Sequence, residues 1–154
     1  MPKAAYDNVR VAIKKVYWRQ SGEQLTALRQ QVFVVEQGVP LDIEIDGYDE
    51  SSLHWLALVN GDPVGTARLL SSGQLGRMAV LAEWRGKGIG RLLLNAVVNW
   101  AQATAECDVF LHAQEHAIGF YAGSGFVEVG DRFEEAGIVH QCMKLDGSVL
   151  SSHS

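Results

Sequence analysis

Apolar and polar positions alternate over residues 9–16 (V-R-V-A-I-K-K-V), the period-two pattern of a strand with one buried face. Leu25, Leu28, Val32 and Val35 then recur at helical spacing, behind a start predicted near Gly22 with Ser21 as N-cap and Glu23 or Gln24 in support. The run V-F-V-V at 32–35 is β-branched and aromatic and reads as a strand as readily as a helix end, and E-Q-G-V-P at 36–40 stops the element either way. Residues 53–60 and 63–70 read as strands joined at Asn60-Gly61-Asp62, a hairpin signal. Ser71-Ser72-Gly73 makes the next turn, and 75–80 is the third strand of a meander. Leu93, Leu94, Val97, Val98 and Ala101 give a helix over 91–105 a wide apolar face that should pack on this sheet. A further strand over 108–114, a short helix over 115–124 and two strands over 126–133 and 138–145, turning at Ala136-Gly137, complete the pattern.

Composition then bounds the architecture. A chain of 154 residues with 47% hydrophobic content suits one compact domain, taken as 1–146, followed by a Ser-rich tail over 147–154 expected to fray. No run approaches the roughly 18 apolar residues of a membrane span, and the first twenty residues lack an apolar signal core, so a cytoplasmic protein without membrane attachment is expected. A net charge of −5 argues against a general nucleic-acid binder. Cys107 and Cys142, the two cysteines, form neither a disulfide framework nor zinc-ligand spacing, and each reads as a small buried hydrophobe. Residues 41–50 hold Asp42, Glu44, Asp46, Asp49 and Glu50 with no basic residue, either a solvated loop or carboxylates that draw in a cationic amine.

The chemistry concentrates in 77–100, R-M-A-V-L-A-E-W-R-G-K-G-I-G-R-L-L-L-N-A-V-V-N-W. Gly86, Gly88 and Gly90 stand where a helix begins, although each glycine costs roughly 1 kcal/mol relative to alanine inside a helix. Backbone access gives the reason: glycine lets the main chain turn with positive φ and approach a ligand, and the first helical N–H groups lack intrahelical partners. With the helix dipole and the charges of Arg85, Lys87 and Arg91, the expected ligand is a phosphate or pyrophosphate. The loop is not a P-loop, because Gly86-Lys87 is followed by Gly88 rather than a hydroxyl residue. Nor is it a dinucleotide fingerprint, which needs glycine where Arg91 stands and an acid at the end of the next strand, whereas Asp108 is at its start.

Arg85-x-x-Gly88-x-Gly90 resembles the [Q/R]-x-x-G-x-[G/A] pyrophosphate loop of the GCN5-related N-acetyltransferase (GNAT) superfamily. Residues 120–126, F-Y-A-G-S-G-F, resemble that family's second signature, in the family's order and about thirty residues on, and the resemblance covers nearly the whole chain. The segments V-F-V-V-E-Q (32–37), H-A-Q (112–114) and A-G-I-V-H-Q-C-M (136–143) are similar to a bacterial branch of small, mostly uncharacterised members. Many relatives carry proline just before the tryptophan of the loop, where this chain has Ala82-Glu83.

The resemblance implies an α/β (α+β) fold: a mixed, mostly antiparallel sheet of about seven strands, splayed in the middle and flanked by about four helices. It implies acetyl-CoA as cosubstrate, no metal, and an amine acceptor not identified by the sequence; a homodimer is compatible with it. Cofactor contacts are expected from Met78, Ala79 and Val80 on the strand, from Arg85, Gly86, Lys87, Gly88, Ile89, Gly90 and Arg91 in the loop, and from Tyr121. The backbone of Met78 and Val80 would pair with the pantetheine and polarise the thioester carbonyl.

Transfer to an amine needs a base for the ammonium proton, donors for the oxyanion and an acid for the thiolate. Tyr121 aligns with the family's general acid; the alternative is that Phe120 and Tyr121 only pack the helix against the loop. For the base, Glu36, Glu44, His54, His112, Glu115, His116 and His140 can all titrate and spacing selects none; Glu36, at the end of the first helix, comes first because partial burial there would raise its pKa. Glu36, Glu44, His54, Gln114 and His140 are the residues expected around the acceptor. The leading reading is an acetyl-CoA-dependent N-acetyltransferase acting on a primary amine of a small molecule or an exposed amino group; a CoA-binding sensor without turnover is its alternative, and a non-CoA nucleotide-binding module a third.

Overall fold

The computed structural model describes residues 10–104 and 108–146, so Val9, Cys107 and the proposed tail lie outside the described residues. Seven strands form one sheet in the order β1-β2-β3-β4-β5-β7-β6: β1 Val11–Val16, β2 Leu53–Val59, β3 Asp62–Leu69, β4 Gln74–Val80, β5 Phe110–Gln114, β6 Phe126–Glu135 and β7 Ile138–Leu145. All neighbours are antiparallel except β4 and β5, which run parallel. Two tight hairpins carry the pattern expected of them. Asn60 and Gly61 have φ 51° and 88°, and Ala136 and Gly137 have φ 53° and 78°, so both turns use two left-handed residues, whose twist matches that of the strands they join.

The helix α3, Ile89–Thr104, buries Leu93, Leu94, Val97, Val98 and Ala101 against the sheet side that presents Trp55, Ala57, Leu69, Leu111 and Met143. It starts two residues earlier than the apolar pattern suggests, because Ile89 is itself buried in this core. Gly65 of β3 lies under it: a Cβ there would come within 3.0 Å of Leu93 Cδ1 and 3.2 Å of the Ala79 carbonyl oxygen.

The first helix differs more from its sequence reading. It runs as α1, Trp18–Arg29, and continues as a π-helix over Gln30–Glu36. The start predicted at Gly22 is therefore four residues late, and Ser21 is not the cap; Tyr17 holds that position without a side-chain cap bond. Trp18 explains the early start: its indole stacks beside the buried His54 ring, 5.3 Å between centroids, and near the Arg29 guanidinium. Gly22 leaves room for that indole, since a Cβ there would touch it at 3.2 Å. The ambiguous run at 32–35 is helical, widened so that Gln37 N–H reaches the Val32 carbonyl five residues back at 3.0 Å.

The acidic run turns inward. After the one-turn helix α2, Leu41–Glu44, three of its carboxylates meet three arginines from α1, β3 and β4. Arg29, 1% exposed, donates to Glu44 at 2.8 and 3.1 Å and to Asp49 at 2.7 Å. Arg68 grips Asp46 with two bonds of 2.7 and 2.9 Å, and Arg77 bonds Glu44 at 2.9 Å and Asp46 at 3.1 Å. Burial alone would raise the Asp46 pKa, but hydrogen bonds from Arg68 and the Tyr48 N–H, with the charges of Arg68 and Arg77, together outweigh it and hold it at about 2. An unfolded aspartate titrates near 3.9, so this carboxylate contributes stability at all pH above about 4 and loses it as pH falls from about 4 towards 2. Acid titration of wild type should therefore show an unfolding limb in that window which Asp46→Asn flattens, as followed by circular dichroism.

Candidate active site

The strands β4 and β5 pair only at Gln74–Phe110 and Leu75–Leu111, then diverge. On its other side β4 stays paired with β3 as far as Val80. Leu81 N–H bonds the Val64 carbonyl on the β3 side, and by the two-residue alternation of a strand Val80 and Met78 aim their backbone groups into the opening. A bulge sits between them and the paired half: the register with β3 slips at Thr66/Arg68, Arg77 takes φ 48°, and the Thr66 hydroxyl donates to the Arg77 carbonyl at 2.9 Å. A non-glycine residue in this region is sparsely populated and persists where its surroundings over-determine it; here the Arg77 head is locked in the buried ion network.

The glycine loop lies at the wide end of this wedge. Gly86 and Gly88 have φ 75° and 82°, which side-chain-bearing residues rarely adopt, and no atom stands within 4 Å of where a Cβ at either would lie. The loop thus offers open space in front of the α3 N-terminus, which suits a pyrophosphate. The other expected contacts are sorted by the structure. The Ile89 side chain is buried under α3, which leaves only its backbone to the loop, while Ala79 packs its side chain towards Leu28 and Val32 and pairs its backbone with Thr66 of β3, so it offers neither to the opening. Arg91 lies over the Phe120 ring at 5.0 Å and bonds the Ser124 hydroxyl at 2.8 Å, tying α3 to α4, Ile118–Ala122. Gly90 faces the same ring, which a Cβ would meet at 3.7 Å. Lys87 is exposed on the loop.

Arg85, the first residue of the loop pattern, reaches back rather than forward. Its Nε donates to the Val80 carbonyl at 2.8 Å, and both terminal nitrogens hold the Glu36 carboxylate, Nη2 to Oε1 at 2.8 Å. The pair locks the end of the first helix to the end of β4. For Glu36 the expected upward pKa shift is reversed: the Arg85 hydrogen bond, opposed by slight desolvation, pushes it below the ordinary carboxylate range, which makes it a weaker base. Two further expectations need correction. Glu44 is 2% exposed and neutralised by Arg29 and Arg77, and with Asp46 and Asp49 also paired, the acidic run presents only Asp42 and Glu50 as exposed carboxylates. His54 is fully buried beneath α1, its Nε2 against the Asp49 carbonyl at 2.8 Å and its Nδ1 without a partner, and burial lowers its pKa. Neither lines the cleft at the end of the wedge.

At the narrow end the wedge opens into a cleft of about 370 Å³. Phe33 and Gln37 line it from the first helix, Gly76, Arg77 and Met78 from β4, His112 and Gln114 from β5, Tyr121 from α4, and Glu135 and His140 from the last hairpin. Gln114 and His140, both expected near the acceptor, are direct partners across β5 and β7. Two larger hollows, about 590 and 910 Å³, flank α1 and share no lining residue with this cleft. They adjoin neither the unpaired strand nor the loop, so size does not mark the site.

Tyr121 stands across from β4 with its hydroxyl 3.9 Å from Met78 Sδ and its ring edge-on to Phe120 and Phe126 at 5.1 and 6.0 Å. Desolvation raises its pKa above the ordinary phenol value, so it holds its proton at neutral pH. Glu135, which the sequence did not single out, sits between two imidazoles: Oε1 is 3.2 Å from His112 Nδ1, and Oε2 is 3.8 Å from His140 Nε2. Phe133 stacks on His140 and meets His112 edge-on, 5.9 and 5.1 Å between centroids. Among the described residues no group of three or more His, Cys, Asp or Glu is arranged to hold a metal ion, and no helix is long and apolar enough to cross a membrane.

A sheet that opens on one side of its central strand, with a left-handed glycine loop at one end of the opening and a protonated tyrosine across it, is the arrangement that the GNAT resemblance implies. The chain belongs to the GNAT family: the acetyltransferase (GNAT) domain matches residues 19–146. It is 35% identical over 124 residues to the Escherichia coli (strain K12) protein ElaA, covering 75% of this chain and 81% of that one. It is 33% identical over 123 residues to YjcF of Bacillus subtilis (strain 168), described as an uncharacterized N-acetyltransferase, covering 77% and 88%. The crystal structure of ElaA superposes with a TM-score of 0.79 at 29% identity over 89% of this chain and 100% of that one. The family's fold uses an acyl-CoA cosubstrate and an amine acceptor.

Proposed function

We propose that the protein moves an acetyl group from acetyl-CoA directly to a primary amine, of a small molecule or an exposed amino group. The observation that carries this reading is the unpaired edge of β4 at Met78 and Val80, which lies between the open glycine loop and the Tyr121 hydroxyl. In that arrangement the α3 N-terminus and the loop N–H groups bind the pyrophosphate, and the β4 backbone holds the pantetheine arm as an added strand. A β4 N–H facing the opening polarises the thioester carbonyl, so that the oxyanion forms against a fixed donor. The amine nitrogen bonds the carbonyl carbon, the C–S bond breaks, and Tyr121 gives its proton to the leaving thiolate. Its raised pKa fits this use, since the donor must be protonated before transfer.

The test is thiol release from acetyl-CoA with a panel of alkylamines, polyamines, aminoglycosides and peptides, run beside propionyl- and longer acyl-CoA. Tyr121→Phe removes one hydroxyl and keeps the ring contacts, so it should leave acetyl-CoA affinity unchanged and slow thiol release about 10²-fold, the low end of a general-acid contribution. Turnover within about twofold of wild type would make Tyr121 a packing residue. Acetyl-CoA binding with no release on any amine would favour a CoA-binding sensor.

A further inference from the structure

The acyl-transfer reading leaves the ammonium proton without a destination, because Glu36 is held by Arg85 and Glu44 and His54 are buried away from the cleft. We infer that His112 takes that proton, at Nε2, and that Glu135 is the positioning residue that leaves the lone pair on this nitrogen and fixes where it points.

The argument starts from hydrogen-bond chemistry. An ionised carboxylate only accepts, so at 3.2 Å from Glu135 Oε1 the His112 Nδ1 is the nitrogen that carries the hydrogen. Neutral imidazole has one N–H, so Nε2 is left with the lone pair. A carboxylate behind a histidine in this way selects the tautomer, holds the ring, and stabilises the imidazolium once it forms. His140 Nε2 lies 3.8 Å from the far carboxylate oxygen of Glu135, and the rings themselves are held: His140 Nδ1–H donates to the Ile138 carbonyl at 2.8 Å, and Phe133 packs against both imidazoles. Strand register puts the cluster on one face of the sheet: His112 stands opposite Cys142, Gln114 opposite His140, and His140 opposite Phe133.

Other cleft groups fit the role less well. Among the described residues no hydrogen bond or ion pair orients His116, which is exposed. Glu115 is bound by Arg132, which also pairs with Glu128, and Arg77 is engaged by Glu44 and Asp46. The charged and titratable groups around His112 are thus Glu135 and Arg132 from β6, His140, Cys142 and Lys144 from β7, Glu115 and His116 after β5, Tyr121 from α4 and Arg77 from β4.

The proton balance is complete without another reactant. R–NH₃⁺ gives one proton to His112 Nε2, and the freed lone pair attacks the thioester carbon. As the C–S bond breaks, Tyr121 gives its proton to the leaving thiolate, and the second excess proton of the nitrogen restores the Tyr121 hydroxyl. His112 then returns its proton to solvent, so one H⁺ is released per amide formed. This proposal rests on the acyl-transfer reading, and its test is built to fail separately.

The first arm needs no turnover. In protein labelled with ¹⁵N-histidine at pH 8, long-range ¹H–¹⁵N correlations, assigned by loss of the signal in His112→Asn, should show His112 as the Nδ1–H tautomer, and Glu135→Gln should erase that preference. An Nε2–H tautomer in wild type overturns the proposal. The second arm compares butylamine, a cation at neutral pH, with 2,2,2-trifluoroethylamine, which is largely uncharged there, using acetyl-CoA and thiol detection. His112→Asn should slow transfer to butylamine about 10²-fold and transfer to the uncharged amine less than about threefold, since that substrate has no proton to give up before attack. Equal losses on both amines would make His112 structural and overturn the proposal. Failure of acetyl-CoA to stabilise wild type against heat is a separate result that counts against the acyl-transfer reading itself.

Discussion

Replacing Arg29 with alanine is expected to cost about 3–5 kcal/mol of stability, the range for removing one partner of a buried ion pair. The guanidinium is 1% exposed and is the hub between Glu44 and Asp49. Burial alone would lower its pKa, yet the hydrogen bonds and charges of Glu44 and Asp49 more than offset this and raise it, so the group is charged wherever the protein is folded. Its loss leaves two carboxylates facing each other with only Arg68 and Arg77 to compensate. Because Arg77 forms the bulged wall of the cleft, the damage should extend to the site: the variant is expected to bind acetyl-CoA more weakly at temperatures where it is still folded. Urea denaturation measures the first effect. A cost below about 1 kcal/mol would mean that the network is solvated and behaves like surface pairs.

Gly88→Val should abolish stabilisation by acetyl-CoA. At a hundredfold excess over Kd the ligand adds about 2.7 kcal/mol to wild type, several degrees in Tm for a domain of this size. Valine at φ 82° is strained even though no neighbouring atom blocks it, and its branches would fill the open space in front of the α3 N-terminus. The variant's own Tm, read without ligand, separates the strain from the lost binding. A full acetyl-CoA shift in a folded Gly88→Val protein would remove the pyrophosphate from this loop.

What was legible in the sequence follows from the range of the interactions involved. The turns at Asn60-Gly61 and Ala136-Gly137, the glycine loop and the apolar face of α3 are local patterns, and each stands where its residues indicate. The fate of the acidic run was not legible, because its partners Arg29, Arg68 and Arg77 come from a helix and two strands 15 to 33 residues away. Counted along the chain, 41–50 is a block of negative charge; in space Glu44, Asp46 and Asp49 are half of a neutral network, and Asp42 and Glu50 stay exposed. The early start of α1 has the same origin, since Trp18 is drawn in by His54 across the sheet. Glu135 could not be singled out for a similar reason: nothing near it in sequence distinguishes it from Glu134, and only the pairing of β5, β7 and β6 brings it between His112 and His140. Glu36 was placed at the end of the first helix, where it stands, but its bond to Arg85 reverses the expected direction of its pKa.

Amide hydrogen exchange with and without acetyl-CoA is the most direct test that the wedge between β4 and β5 holds the cosubstrate. Backbone groups there have no strand partner, so the account predicts that saturating acetyl-CoA slows exchange at Met78 and Val80 and at the loop amides from Gly86 to Gly90, while Ala79, already turned towards β3, changes little. Protection confined to the hollows beside α1, or none at Met78 and Val80 under conditions where acetyl-CoA binds, would contradict it.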